Sequence, residues 1–206
     1  MGRKNHWEQV YKTKAPDAVS WYTPHLSESL KYINATGLDP QNAAVIDVGG
    51  GEATLVDDLL AAGYRNVSVL DISAKALEVA AERLGPRAAS VRWIAADILE
   101  HEFAEASVDI WHDRAVFHFL TTTEQRQAYV AQVLKALRPG GFAIVGTFGP
   151  NGPEKCSGLP VMRYEPDALH NTFGTHFTLL KHSVDMHTTP WNAPQEFVYC
   201  FCRRED

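Results

Sequence analysis

Between residues 43 and 148 short apolar runs alternate with longer stretches of helical periodicity, and few folds accept that order. "AAVIDVG", "NVSVLDI", "SVRWIAAD", "SVDIWHD" and "FAIVGTF" each have the length and β-branched content of a strand. Between them, "ATLVDDLLAA" places Leu55, Val56, Leu59 and Leu60 on one helical face before Gly63. "SAKALEVAAERL" begins at a capping Ser73 and stops at Gly85-Pro86. "TEQRQAYVAQVLKAL" follows Thr121 and Glu124, which have capping-box spacing. Strands alternating with helices imply an α/β, doubly wound, mostly parallel sheet with helices on both faces. The tail departs from this pattern. "HFTLLKHSVDMHT" and "QEFVYCFCRR" are strand-like with no helix between them, so a C-terminal antiparallel hairpin completes seven strands. The Gly/Pro-rich stretch 151–174 is a functional or partly helical loop.

Before the alternation, Trp7 and Tyr11 share a helix face, Pro16 and Pro24 break the chain, and "LSESLKYI" is a further helix. Residues 1–206 are thus expected to form a single domain, with 1–40 as a helical and loop cap. The 206-residue chain is 45% hydrophobic, enough for a sizeable core, and carries a net charge of −6 without a basic run. That argues against a nucleic-acid partner. Three cysteines make no disulfide framework. There is neither a signal-peptide core nor a membrane-length apolar run, so a cytoplasmic protein with no membrane partner is expected.

The turn after the first strand, "VIDVGGGEAT", sits where such sheets bind ligands. It lacks the Lys-Ser or Lys-Thr of a phosphate loop. Thr54 stands where the dinucleotide fingerprint needs its third glycine, which argues against a nicotinamide-dependent dehydrogenase. Asp47, two residues before Gly49, would repel a pyrophosphate and suits an ammonium group. Asp71 ends the next strand, where a carboxylate accepts from ribose hydroxyls. Asp97 ends the third, placed for an adenine amino group, with the Ile98 N–H toward a ring nitrogen and Ile72 against the ring. A ligand with ribose, adenine and a cationic amino end but no phosphate is S-adenosylmethionine.

Together "VIDVGGGEATL", "VLDIS", "AADIL" and "VDIWHDRAVFHFL" resemble the class I S-adenosylmethionine-dependent methyltransferases. "HWEQVYKTK" and "VSWY" look like the cap of a small bacterial-type subgroup. The resemblance implies a Rossmann-like methyltransferase fold. It also implies that Asp47, Gly49, Gly50 and Gly51 meet the methionine end, Asp71 the ribose, and Asp97 with Ile98 the adenine. Ala53 replaces the last glycine of the usual loop. The segment after the fourth strand then meets the methionine moiety and the acceptor, which makes Asp113 a candidate for cofactor contact and catalysis. The implied activity is methyl transfer to a small-molecule acceptor. A protein side chain such as lysine is the alternative, and a non-catalytic binding module is a further one.

The remaining candidates follow from position. His118, among Phe117, Phe119 and Leu120, is either a packed core residue or a general base. Arg114 either pairs with Asp113 or meets an anionic acceptor, and Phe117 and Cys156 are candidates to line the acceptor site, Cys156 as an exposed thiol. Trp21 and Tyr22 either pack or form a lid over the cofactor. Cys200 and Cys202 face one side of a strand. A thiol pair can bind zinc or a metalloid, but core packing is the expected role. His170, His176, His182 and His187 lack the spacing of a helical zinc site, so no metal is expected.

Overall fold

A computed structural model describes residues 2–205; Met1 and Asp206 lie outside the described residues. Its elements run α1 (Arg3–Thr13), α2 (Ser27–Ala35), β1 (Ala44–Val48), α3 (Leu55–Ala61), β2 (Asn66–Asp71), α4 (Ala74–Leu84), β3 (Val91–Ala95), β4 (Val108–Arg114), α5 (Thr123–Ala136) and β5 (Leu137–Phe148). The short pair β6 (Lys155–Cys156) and β7 (Leu159–Pro160) follows, then α6 (Pro166–Phe173), β8 (Phe177–Thr188) and β9 (Pro194–Arg204). The long loop is therefore partly structured, by a small hairpin and a helix.

The seven-stranded sheet has the order β3-β2-β1-β4-β5-β9-β8. β3, β2, β1, β4 and β5 are parallel, and β9 enters antiparallel between β5 and β8. The expected doubly wound sheet with its C-terminal hairpin is what forms. Alternation along the strands sends Ile46, Trp111 and Val145 toward α5 and α6, where Tyr129, Val133 and Phe173 meet them. Val45, Ile110 and Ile144 face the other side, against Tyr32 and Ile33 of α2 and Leu55 of α3. α2 thus belongs to a face of the sheet, and the cap is confined to α1 and the loop that follows it.

Two helix starts behave differently. Ser73 caps α4 as expected, accepting from the Ala76 N–H. The capping box of α5 is one residue on from the expected pair, on Thr122 and Gln125. Thr122 has the extended backbone an N-cap needs, and Gln125 reaches back to the Thr122 N–H. No helix among the described residues is long and apolar enough to cross a membrane.

Candidate functional site

The strand order reverses between β1 and β4, and the chain opens a cleft of about 740 Å³ at their C-terminal ends. A second hollow of about 490 Å³ adjoins it; Tyr11, Trp21, Gly49 and Arg114 line both. The glycine turn forms the floor. Gly49 has φ +71°, and a Cβ there would stand 1.9 Å from a Val116 methyl. Gly51 has φ +40°, and a Cβ would crowd Asp71 Oδ2 at 2.9 Å and the Tyr11 hydroxyl at 3.0 Å. Both positions need a left-handed backbone and a bare Cα.

Asp71 ends β2 on the cleft wall. Its Oδ1 accepts from the Ser73 N–H at 2.8 Å, and Oδ2 lies toward the glycine turn. Burial lifts its carboxyl to about 7, opposed by the Ser73 bond and helped by the charges of Asp47, Glu8 and Glu52. Ile72 and Ile98 give the same wall an apolar surface. Asp97 lines it too, but its oxygens are engaged: Oδ2 accepts from Arg3 at 2.9 Å and Oδ1 from the Leu99 N–H at 3.0 Å. The expected adenine acceptor is therefore also the anchor of α1.

α1 roofs the cleft. Arg3, Trp7 and Tyr11 share one face at i, i+4 and i+8, and all three line the cavity. Glu8 accepts from the Ala74 N–H at 2.8 Å, tying α1 to the start of α4. Trp7 packs edge-on to Trp21 and Phe119, with ring centroids 5.9 and 5.2 Å apart. Trp21 therefore belongs to the roof, and Tyr22 lines only the second hollow.

Asp47 is buried beneath this floor. Its Oδ1 meets His112 Nδ1 at 2.7 Å, His112 Nε2 meets Ser29 Oγ at 2.8 Å, and Ser29 Oγ stands 3.4 Å from the Tyr199 hydroxyl. Parallel register sets Asp47 beside His112. The carboxylate left without a partner is Glu52: it is buried, and neither oxygen has a donor among the described residues. Burial pushes it up to about 7 against the pull of Arg83 and Lys75. Glu52 lines the second hollow beside Asp47 and Gly50.

The segment after β4 departs most from expectation. Asp113 lies outside both hollows and is fully buried, accepting from the Val116 and Phe117 N–H groups and the Tyr129 hydroxyl. It braces the turn beneath the cleft, which corrects the catalytic and cofactor roles read for it. Ala115, at φ +73°, swings the chain back so that the next residues run inward. Phe117 packs against Tyr129, Phe173 and Tyr164, so it is core and not acceptor wall. His118 is also sealed away: its ring lies 4.5 Å from Phe119 and 4.6 Å from Phe148. Its Nδ1 accepts from the Phe148 N–H at 3.4 Å. Burial, helped by Arg114, drives it down to about 3. The expected neutral imidazole is there, but without a path to the cleft it is no base.

Arg114 does reach the site. Its guanidinium lies 4.2 Å from the Phe197 ring centroid, donates to the Trp21 carbonyl at 3.0 Å and lines both hollows. It does not pair with Asp113, whose acceptors are filled. Cys156 lines the cleft as expected but is buried on β6, and burial lifts its thiol to about 11, so the exposed thiol is a correction. The loop residues look exposed in sequence because the β6–β7 pairing that tucks them in has no local signal.

Sequence reading passed over Arg3, Glu52, His112, Phe119 and Leu120. The spacing of Arg3 with Trp7 and Tyr11 was a usable signal, as was Glu52 inside the glycine turn. His112 needed the strand order.

Comparison with known proteins is consistent with this geometry. Residues 45–141 match a family model described as a methyltransferase domain. A mouse eEF1A lysine and N-terminal methyltransferase is 27% identical over 150 residues, covering 68% of this chain and 21% of its own length. This chain therefore spans about a fifth of that relative. A structure from work on the conversion of a disulfide bond into a thioacetal group during echinomycin biosynthesis has a TM-score of 0.79 at 20% identity, over 99% of this chain and 93% of that one. The Burkholderia thailandensis 1,6-didemethyltoxoflavin N1-methyltransferase, solved with 1,6-didemethyltoxoflavin and S-adenosylhomocysteine, has a TM-score of 0.67 at 20% identity, covering 98% of this chain and 84% of that one. At these identities the structural likeness speaks for the fold.

Proposed function

We propose that this chain, which carries a class I S-adenosylmethionine-dependent methyltransferase domain, methylates a small molecule bearing an anionic group. The observation that carries this reading is the roofed cleft with Arg114 in its wall. The residues fit the cofactor: the bare glycine turn leaves room for close approach, Asp71 Oδ2 is available to a ribose diol, and Ile72 and Ile98 offer an apolar slot. Glu52 suits the ammonium of the methionine end better than Asp47, whose carboxylate is already bound to His112. The bound cofactor supplies an electrophilic methyl group on a positive sulfur.

The chain's own work is then orientation and exclusion of water. Trp7, Tyr11, Trp21 and Phe119 close the cavity with aromatic surface, and Arg114 fixes an anionic acceptor by a charge-assisted contact. With His118 sealed off and the Cys156 thiol raised by burial, the reading favours acceptors that arrive already nucleophilic, such as thiolates, over alcohols. Release of S-adenosylhomocysteine from a panel of small thiols, amines, carboxylic acids, phenols and a lysine peptide tests this. Turnover is expected with an anionic small molecule. Arg114→Met should lower its kcat/KM about 10- to 100-fold, the worth of a hydrogen bond to a charged group, while a neutral analogue loses little. Equal losses for both refute the role of Arg114.

A second reading has one observation in its favour. The smaller hollow joins the orphan Glu52 to Tyr11, Trp21 and Tyr22, an acidic and aromatic setting that also suits a lysine ammonium. The mouse relative is named for lysine methylation. Faster turnover of the lysine peptide than of any small molecule would decide for it. Either way, α1 and the loop through Tyr22 are expected to exchange amide hydrogens more slowly when S-adenosylhomocysteine is bound. Equal protection in both states would remove the lid.

A further inference from the structure

We infer that His170, Cys200 and Cys202, with His182, form a zinc site that pins α6 to the C-terminal hairpin. The site lies apart from the cleft, so it stands independently of the methyltransferase reading. Cys200 and Cys202 alternate onto the same face of β9, the face covered by α6. Their sulfurs stand 2.8 Å apart, and His170 Nδ1 lies 3.4 Å from one and 4.0 Å from the other. The sulfurs are well beyond the ~2.05 Å of a disulfide. The three donor atoms lie within 4.8 Å of one another, the compactness a single ion requires. His182 of β8 is the direct cross-strand partner of Cys200 and so stands on the same face. It is exposed, free to turn inward as the fourth ligand.

The donor set selects the ion. Two thiolates and two imidazoles are the ligands of tetrahedral zinc, and hard cations avoid them. Two thiolates also neutralise Zn²⁺, which matters because Val145, Leu169 and Val198 surround the sulfurs with apolar surface. A monovalent soft ion would leave a net charge there. Zinc at ~2.3 Å from each sulfur holds two thiolates about 3.8 Å apart, so loading spreads the pair by about 1 Å. This arrangement escaped sequence reading because its donors come from a helix and two strands, with none of the spacing of a helical or paired-cysteine site.

The test uses the full chain under reducing conditions. Zn²⁺ uptake is measured by competition with a chromophoric chelator, and Cd²⁺ by its near-ultraviolet thiolate absorption. One ion per chain is expected, with the thiolate band. Cys202→Ser, His170→Ala and His182→Ala should each weaken binding by at least the ~10-fold that loss of a mere supporting partner causes. Cys156→Ser should bind normally. His170 and His182 are partly exposed, so their variants fold even if a cysteine variant does not. Absence of uptake, a Cd²⁺ complex without the thiolate band, unchanged affinity in any of the three ligand variants, or a Cys200–Cys202 disulfide in place of metal binding would each overturn the site.

Discussion

Asp71→Ala is expected to weaken binding of S-adenosylmethionine and S-adenosylhomocysteine at least about tenfold, because two hydroxyls lose a charged acceptor worth roughly 1.5–3 kcal/mol. Asp71 ends β2 on the cleft wall with Oδ2 toward the glycine turn, so nothing else on that wall replaces it. Its raised carboxyl adds a pH signature. The diol needs the ionised acid, so affinity should strengthen as pH rises through about 7. Folding of the ligand-free chain responds with the opposite sign. The folded state holds this proton more tightly than the unfolded chain does. That contribution is complete below the ordinary carboxylate range near pH ~4 and is lost as pH rises through about 7. Asp71→Asn should flatten both profiles. Calorimetry and thermal melts across this range check them, and unchanged affinity in Asp71→Ala would sink the ribose assignment.

Asp113→Ala should have the largest effect on stability. Three buried donors, the Val116 and Phe117 N–H groups and the Tyr129 hydroxyl, lose their acceptor together. Tyr129 in turn accepts from Trp111 Nε1 at 2.9 Å, so the loss reaches the middle of the core. Stranding one side of a buried charged network is worth about 3–5 kcal/mol, or on the order of 10 °C in Tm for a chain of this size. Chemical and thermal unfolding measure it. A loss below about 1 kcal/mol would mean the turn after β4 holds without its brace.

The contrast between these two aspartates shows what the sequence carried. Both end apolar strands, and nothing local tells them apart. Asp71 is followed by Ser73 and a helix that starts at once, so its position at a ligand-binding strand end could be read directly. Asp113 is followed by a turn that depends on Ala115 adopting a left-handed backbone, which alanine rarely signals. That single turn redirects Phe117 and His118 inward and leaves Phe119 facing the cleft. The alternation of strands and helices was legible because apolar periodicity is local. The pairing of Asp47 with His112 was not, because it depends on β4 lying next to β1, and that adjacency follows from the order of the whole sheet.

The attachment of α1 has a consequence for turnover. It is held across the strand ends by the Arg3–Asp97 ion pair, the Glu8 bond to α4 and aromatic edges. In the proposed cycle a spent nucleoside leaves only when this helix lifts. The departure step then contains the breaking of a half-exposed ion pair, whose grip weakens as electrolyte is added. An enzyme built this way can run faster in moderate salt than in none, because the latch loosens before the buried contacts that position the reacting groups are touched.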